Sequence, residues 1–214
     1  MEAGLGRRER RKRETRQQIA DSAMGLFVVH GFDKVTVSEI ADHAGVSRMT
    51  VFNYFPRKED IFFDRLEDGF QLSFEALSGR QAGESYVAAA RRTMREMAEA
   101  RHPLSGLLDN GHHFWNQVAA SSALKARIRE AADEWQGLLA IRISEDQAAS
   151  PGDSGPRILA AQLVAIYRLL HSEAVRQLRS GRTADDLAPD YLALIDRAFE
   201  AVESGVGAYG AREM

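Results

Sequence analysis

The chain contains no cysteine. That excludes a disulfide framework, a thiolate nucleophile, a cysteine-based zinc site and an iron–sulfur cluster. Only five prolines occur in 214 residues, too few for a loop-rich β protein. No apolar run approaches the ~20 residues that span a bilayer. The basic N-terminus is not followed by the apolar stretch of a secretory signal, so a cytoplasmic protein with no membrane association is expected. A large net charge is missing as well: the formal value is −3. That near-neutrality hides an asymmetry. Residues 7–16 carry seven Lys/Arg against two Glu, and residues 1–60 hold 11 Lys/Arg against 9 Asp/Glu, whereas the remaining 154 residues hold 17 against 22. A basic head on an acidic body points to a polyanion at one end. The apolar fraction of 44% and charged fraction of 28% are globular values that exclude whole-chain disorder.

Apolar spacing is helical nearly everywhere, which predicts an all-α fold. Ile19, Ala23 and Phe27 recur at steps of four, and Gly31 ends that helix. Thr36-Val37-Ser38-Glu39 is a capping-box pattern that starts a second helix. Gly45 ends it, Ser47 caps a third, and Pro56 closes the third. A fourth helix is predicted from Lys58 to about Leu77. Later helices are predicted over 84–101, 104–119, 122–146, 157–179 and 190–205, with a loop over 148–156. Residues 1–12 and 207–214 are expected to be disordered. The expected domains are a disordered basic arm over 1–12, a small head over 13–60 and a larger helical body over 61–206.

The most informative stretch is 37–55, VSEIADHAGVSRMTVFNYF. Ile40, Ala44, Val46 and Val51 are apolar where two crossing helices share a core, and Ala41 is small at their closest approach. Gly45 supplies the positive φ of a short turn. Ser47, Arg48, Thr50 and Asn53 fall on the remaining face of the second helix. Eight residues from Ser47 make ~12 Å of helix, matching a major groove ~12 Å wide. A bare helix–turn–helix corner also occurs inside helical bundles. The small Ala, the turn Gly, the polar second helix and the basic arm together favour DNA.

These residues closely resemble the DNA-binding domain of TetR-type transcriptional repressors. The resemblance rests on Ile19-Ala20, Ala23, Leu26-Phe27, His30-Gly31-Phe32, Thr36-Val37, Ile40-Ala41, Ala44-Gly45-Val46-Ser47, Thr50-Val51-Phe52, Tyr54-Phe55-Pro56 and Lys58-Glu59. It covers about 45 residues; the rest of the chain agrees only in length and helicity. It implies a homodimer that binds an inverted-repeat operator in double-stranded DNA and is released by a small-molecule effector. It also implies roles for single residues. Thr36 would hold a phosphate and Ser38 would face the groove. Ser47, Arg48, Met49 and Thr50 would open the recognition helix. Asn53 and Tyr54 would reach base edges or backbone, and Lys58 would pair with phosphate. Arg can read guanine through two hydrogen bonds, hydroxyls can donate to phosphate, and Met49 can meet only a thymine methyl or pack. Phe52 stands where the family often has Tyr, and is expected to pack.

Two further readings come from the residues themselves. The run 7–16 is either a solubilising tail or an arm that follows phosphate or the minor groove. The stretch 157–179 is apolar on two sides, through Ile158, Leu159, Leu163, Val164, Ile166, Leu169 and Leu170. That suits a helix between its own domain and a second subunit, beside the last helix with Leu192, Ile195 and Phe199. Aromatics mixed with isolated polar groups nominate an effector pocket of unknown ligand class: His112, His113, Trp115, Trp135, Tyr167 and His171, with Phe114 and Gln117 nearby. Adjacent His112 and His113 diverge by ~100° on a helix, so no metal site is assigned, and no cofactor. A helical metal-dependent enzyme built on these histidines is a remote alternative, since no phosphate loop, G-x-S-x-G or H-E-x-x-H occurs. An activator, or a regulator without effector, remains open.

Overall fold

A computed structural model describes residues 6–108 and 111–206, and these are all-α. Ten α-helices follow in order: α1 Arg7–His30, α2 Val37–His43, α3 Arg48–Tyr54, α4 Lys58–Phe62, α5 Leu66–Ser78, α6 Tyr86–Glu99, α7 Gly111–Ala120, α8 Ser122–Asp146, α9 Gly155–Arg179 and α10 Ala184–Val206. They form two compact units, residues 1–66 with 116–127, and 67–115 with 128–214.

The first unit is built on α1. Ile19, Ala20, Ala23 and Phe27 are its buried stripe. Phe27 meets Phe32 and Phe62 at 5.2 and 5.6 Å between ring centroids, and Phe32 meets Phe62 edge-on at 5.5 Å. Such ring pairs add to the area they bury. The head also recruits residues far along the chain. Phe32 N–H donates to Gln117 Oε1 at 2.7 Å, Ser121 Oγ donates to Asp33 at 2.7 Å, and Arg127 Nε donates to Asp60 at 2.7 Å. A head ending at residue 60 therefore misses the segment that satisfies its first loop.

The second unit packs α6, α9 and α10 around Tyr86, Val87, Leu163, Leu170, Tyr191, Ile195 and Phe199. At its edge Arg80 is buried, donates to Asp146 at 2.6 Å and lies over the Tyr86 ring. The Tyr86 hydroxyl also donates to Asp146, at 2.5 Å. These bonds, from Tyr86 first and Arg80 second, hold the Asp146 carboxyl below the usual range.

Several expected boundaries shift. Helix α1 begins at Arg7 rather than after a disordered residue 12; residues 1–5 and 207–214 lie outside the described residues. Good helix formers with Glu9 and Glu14 among the cations explain the added turns. The predicted fourth helix is two, α4 and α5, because Ile61, Phe62 and Phe63 are all buried. Three consecutive residues cannot all fall on one helical stripe, and the chain turns at 63–65. The predicted helix 104–119 opens instead as a short 3₁₀ turn, Pro103–Ser105, ended by Gly106 at φ 80°. The last helix starts at Ala184, before Pro189. Thr183 and Asp186 exchange hydrogen bonds there, a reciprocal N-terminal cap. By length and composition α9 is apolar enough to cross a bilayer, contrary to the expectation from the sequence. Its apolar side is the core of the second unit, with Leu159, Leu163, Val164, Ile166 and Leu170 buried.

Candidate nucleic-acid interface

Helices α2 and α3 cross over a core of Ile40, Ala41, Ala44 and Val51, all at most 2% exposed. Ala41 admits the turn: Val46 N–H donates to its carbonyl at 3.0 Å. Gly45 holds φ 65°, the left-handed region that a side chain rarely adopts. Thr36 and Glu39 form the full capping box predicted for α2, and these bonds from Thr36 hold the Glu39 carboxyl below its ordinary value. Ser47 Oγ accepts from Thr50 N–H at 3.0 Å and caps α3 as expected. Three contacts from outside the motif lock it. Gln18 Nε2 donates to the Ala44 carbonyl at 2.8 Å. Arg16 donates to the Tyr54 carbonyl at 3.1 Å and lies 4.2 Å over the Phe55 ring. Lys58 Nζ donates to the Phe32 and Val35 carbonyls at 2.8 and 2.9 Å.

With its inner side fixed, α3 presents Ser47, Arg48, Met49, Phe52 and Asn53 to solvent, while Thr50 and Tyr54 are half-buried. Arg48 makes no ion pair among the described residues. Met49 is 68% and Phe52 42% exposed, so Phe52 does not pack as expected; it extends the presented face with an apolar surface. On α2, Thr36 is exposed and Ser38 half-buried. Lys58 departs most from its expected role. Two of its three donors are spent on carbonyls, it sits 4.1 Å over Phe32, and burial lowers its ammonium below the ordinary lysine value. It staples the loop before α2.

The residues nominated for a pocket divide. Trp115, Trp135, Tyr167 and His171 come together in the second unit. Trp115 meets His171 at 4.2 Å, Trp135 meets Tyr167 at 4.9 Å, and Tyr167 meets His171 at 5.8 Å. Phe70, which the spacing did not single out, stacks on Trp135 at 6.1 Å. Gly106 lies so close that a Cβ there would stand 3.4 Å from the His171 ring. Burial drives the His171 imidazole down to about 4 and the Tyr167 phenol up to about 12. Trp135 Nε1 and Gln162 Oε1 are buried without partners. His113 is exposed; the His112 side chain lies outside the described residues. Gln117 belongs to the head. Two surface grooves of about 360 and 390 Å³ lie elsewhere, along Arg91, Arg92 and Arg95 and at the end of α9. No group of three or more His, Asp or Glu among the described residues is arranged to hold a metal.

A locked helix pair with an open polar face beside a cationic helix defines a helix-turn-helix DNA-binding protein. Comparison with known proteins points the same way. Residues 19–64 match the family described as bacterial regulatory proteins, tetR family. Over 174 residues the chain is 28% identical to the HTH-type transcriptional regulator TcmR of Streptomyces glaucescens, covering 79% of this chain and 77% of that protein. Among solved structures, NalD, the secondary repressor of the MexAB-OprM multidrug efflux pump in Pseudomonas aeruginosa, is 21% identical with a TM-score of 0.54, over 87% of this chain and 97% of the other. The SmeT–triclosan complex is 19% identical with a TM-score of 0.55, over 88% and 91%. The head thus matches the tetR family of bacterial regulatory proteins, and most of the chain is similar to a TetR-type, DNA-binding transcriptional regulator.

Proposed function

We propose that the chain is a cytoplasmic, homodimeric repressor whose two α3 helices enter successive major grooves of an inverted-repeat operator. The observation that carries this is the outward face of α3: Arg48, Met49 and Asn53 stand exposed to solvent on one short, locked helix. Arg48 is the candidate reader of guanine, Asn53 of adenine, and Met49 and Phe52 offer apolar contact to thymine methyls. Ser47, Thr50, Tyr54, Thr36 and Ser38 would hold phosphates and register. Lys58 acts through the loop it staples, not through phosphate.

Dimerisation is supported by α9. Ile158, Ala165 and Leu169 recur on one stripe and are exposed, Ile158 by 47% and Leu169 by 51%, while the opposite side is core. Effector release is supported by the ring cluster, where the buried Trp135 indole N–H has no partner among the described residues. A ligand accepting from it would favour a conformation whose heads are misspaced for DNA. That relatives of the fold include a triclosan complex agrees with a small-molecule effector.

The test is a mobility-shift titration on duplexes selected by the protein from a random library. Arg48→Ala and Asn53→Ala should each weaken binding by ~10-fold or more, as loss of one bidentate base contact does, with unchanged circular dichroism. Wild-type affinity in both variants overturns the docking.

A further inference from the structure

We propose that α1 does not end its work at the head: its first two turns, Arg7–Arg13, form a cationic helical arm that binds duplex phosphates beside the Tyr54 end of α3. This rests on the DNA-binding reading above and extends it to residues outside the family match, which begins at residue 19.

Four observations converge. The arm is helical and continuous with the head's central helix, so its direction is fixed by the head. It carries six cations, Arg7, Arg8, Arg10, Arg11, Lys12 and Arg13, all exposed. Among the described residues Arg10 alone of these has an ion pair, a loose one to Glu14 at 4.0 Å between side chains each 65% exposed. No apolar residue interrupts 7–14, which gives the arm no face for a bilayer or a protein groove.

The arrangement is electrostatically unfavourable for the free helix. Arg7–Arg11 and Arg8–Lys12 are like-charge pairs at i, i+4, and the cations crowd the positive end of the helix dipole. Glu9 and Glu14 offset only two of the six cations. A polyanion offsets the rest. At ~1.5 Å rise per residue the arm's six cations in seven residues fall about one per 1.75 Å of helix, against about one phosphate per 1.7 Å of duplex.

Position selects which phosphates. Arg16 is anchored to the Tyr54 carbonyl and the Phe55 ring. Lys12 and Arg13 lie one turn before Arg16, on the same side of α1. The stripe that fastens α1 to the end of the recognition helix thus continues as free cations past it. Phosphates flanking the groove that receives α3 lie within reach of these side chains, whereas a flexible tail of equal charge would hold no register.

The experiment measures affinity by fluorescence anisotropy against KCl concentration, on a duplex selected by the full chain. Three full-length proteins are compared: wild type, a variant with all six cations changed to Gln, and a hinge variant with Glu14→Gly and Thr15→Gly that keeps every cation. Thermal melting of each checks the fold, which the exposed arm should not alter. The arm predicts that neutralisation flattens the slope of log K against log [KCl] by about 2 or more per head and weakens binding at least tenfold at low salt. The hinge variant should bind more weakly than wild type with a shallower slope. An unchanged slope in the neutralised protein overturns the proposal, including the case where only binding to phosphatidylglycerol vesicles is lost. Wild-type behaviour of the hinge variant overturns the directed helix. Failure of wild type to select any duplex overturns the DNA-binding reading itself.

Discussion

His171 has its ring against Trp115 and Tyr167, within van der Waals reach of Gly106. With a folded pKa of about 4 and an unfolded one near 6.5, it stays neutral in the native protein while the unfolded chain takes up a proton. Stability from this residue is therefore complete above about pH 6.5 and falls as the pH drops toward 4, by up to about 3 kcal/mol. Thermal denaturation between pH 4 and 7 should show that slope, and His171→Leu should flatten it. Gly45 makes a second prediction. Nothing stands within 4 Å of a Cβ placed there, so only its φ of 65° opposes substitution. Gly45→Val should cost about 1–2 kcal/mol by chemical denaturation and Gly45→Asn distinctly less, since Asn tolerates the left-handed region. Lys58 supplies a third. Lys58→Met strips two carbonyls of their donor, which should destabilise the head by about 1–3 kcal/mol and leave the salt dependence of DNA binding unchanged. Loss of one phosphate's worth of slope would restore the role its sequence position suggested.

At the scale of the element, the sequence was most readable where one local rule decides. Thr36 and Glu39 announced α2, Ser47 announced α3, and Gly31, Gly45 and Gly181 marked ends that the structure keeps. It misled where tertiary packing overrides the local pattern. The break between α4 and α5 exists to bury Phe62 and Phe63 together, and Arg16, through its reach to the Asp64 carbonyl, holds that turn. The last helix, expected from residue 190, begins earlier at the Thr183–Asp186 cap. Position at the chain end suggests disorder over 1–12, yet from Arg7 helix propensity and continuity with α1 prevail. Partners distant in sequence carry no local signal: Gln18, Gln117 and Ser121 complete the head through bonds that no spacing announces. Thr36→Ala, by removing the cap of a seven-residue helix, should cost about 1 kcal/mol and lower affinity through a displaced α2.

At the scale of the whole molecule the chain forms two compact units, and residues 116–127 fold with the first although they lie between two stretches of the second in sequence. The pocket nominations gathered four of six residues into one ring cluster, because aromatic and polar side chains inside apolar helices are buried whatever they do; their packing leaves the ligand's chemistry unwritten. The outer stripe of α9 predicts association. Leu169→Glu should convert a dimer to a monomer in sedimentation, keep the helical content and lose operator affinity, since one head alone makes half the contacts. A hydroxyl-radical footprint on a selected duplex addresses the main claim at once. Two protected patches related by a dyad, centred ~10 base pairs or a multiple of that apart, with methylation of guanine N7 in the major groove blocking binding, is the predicted result. A single patch, or binding indifferent to major-groove methylation, would contradict it.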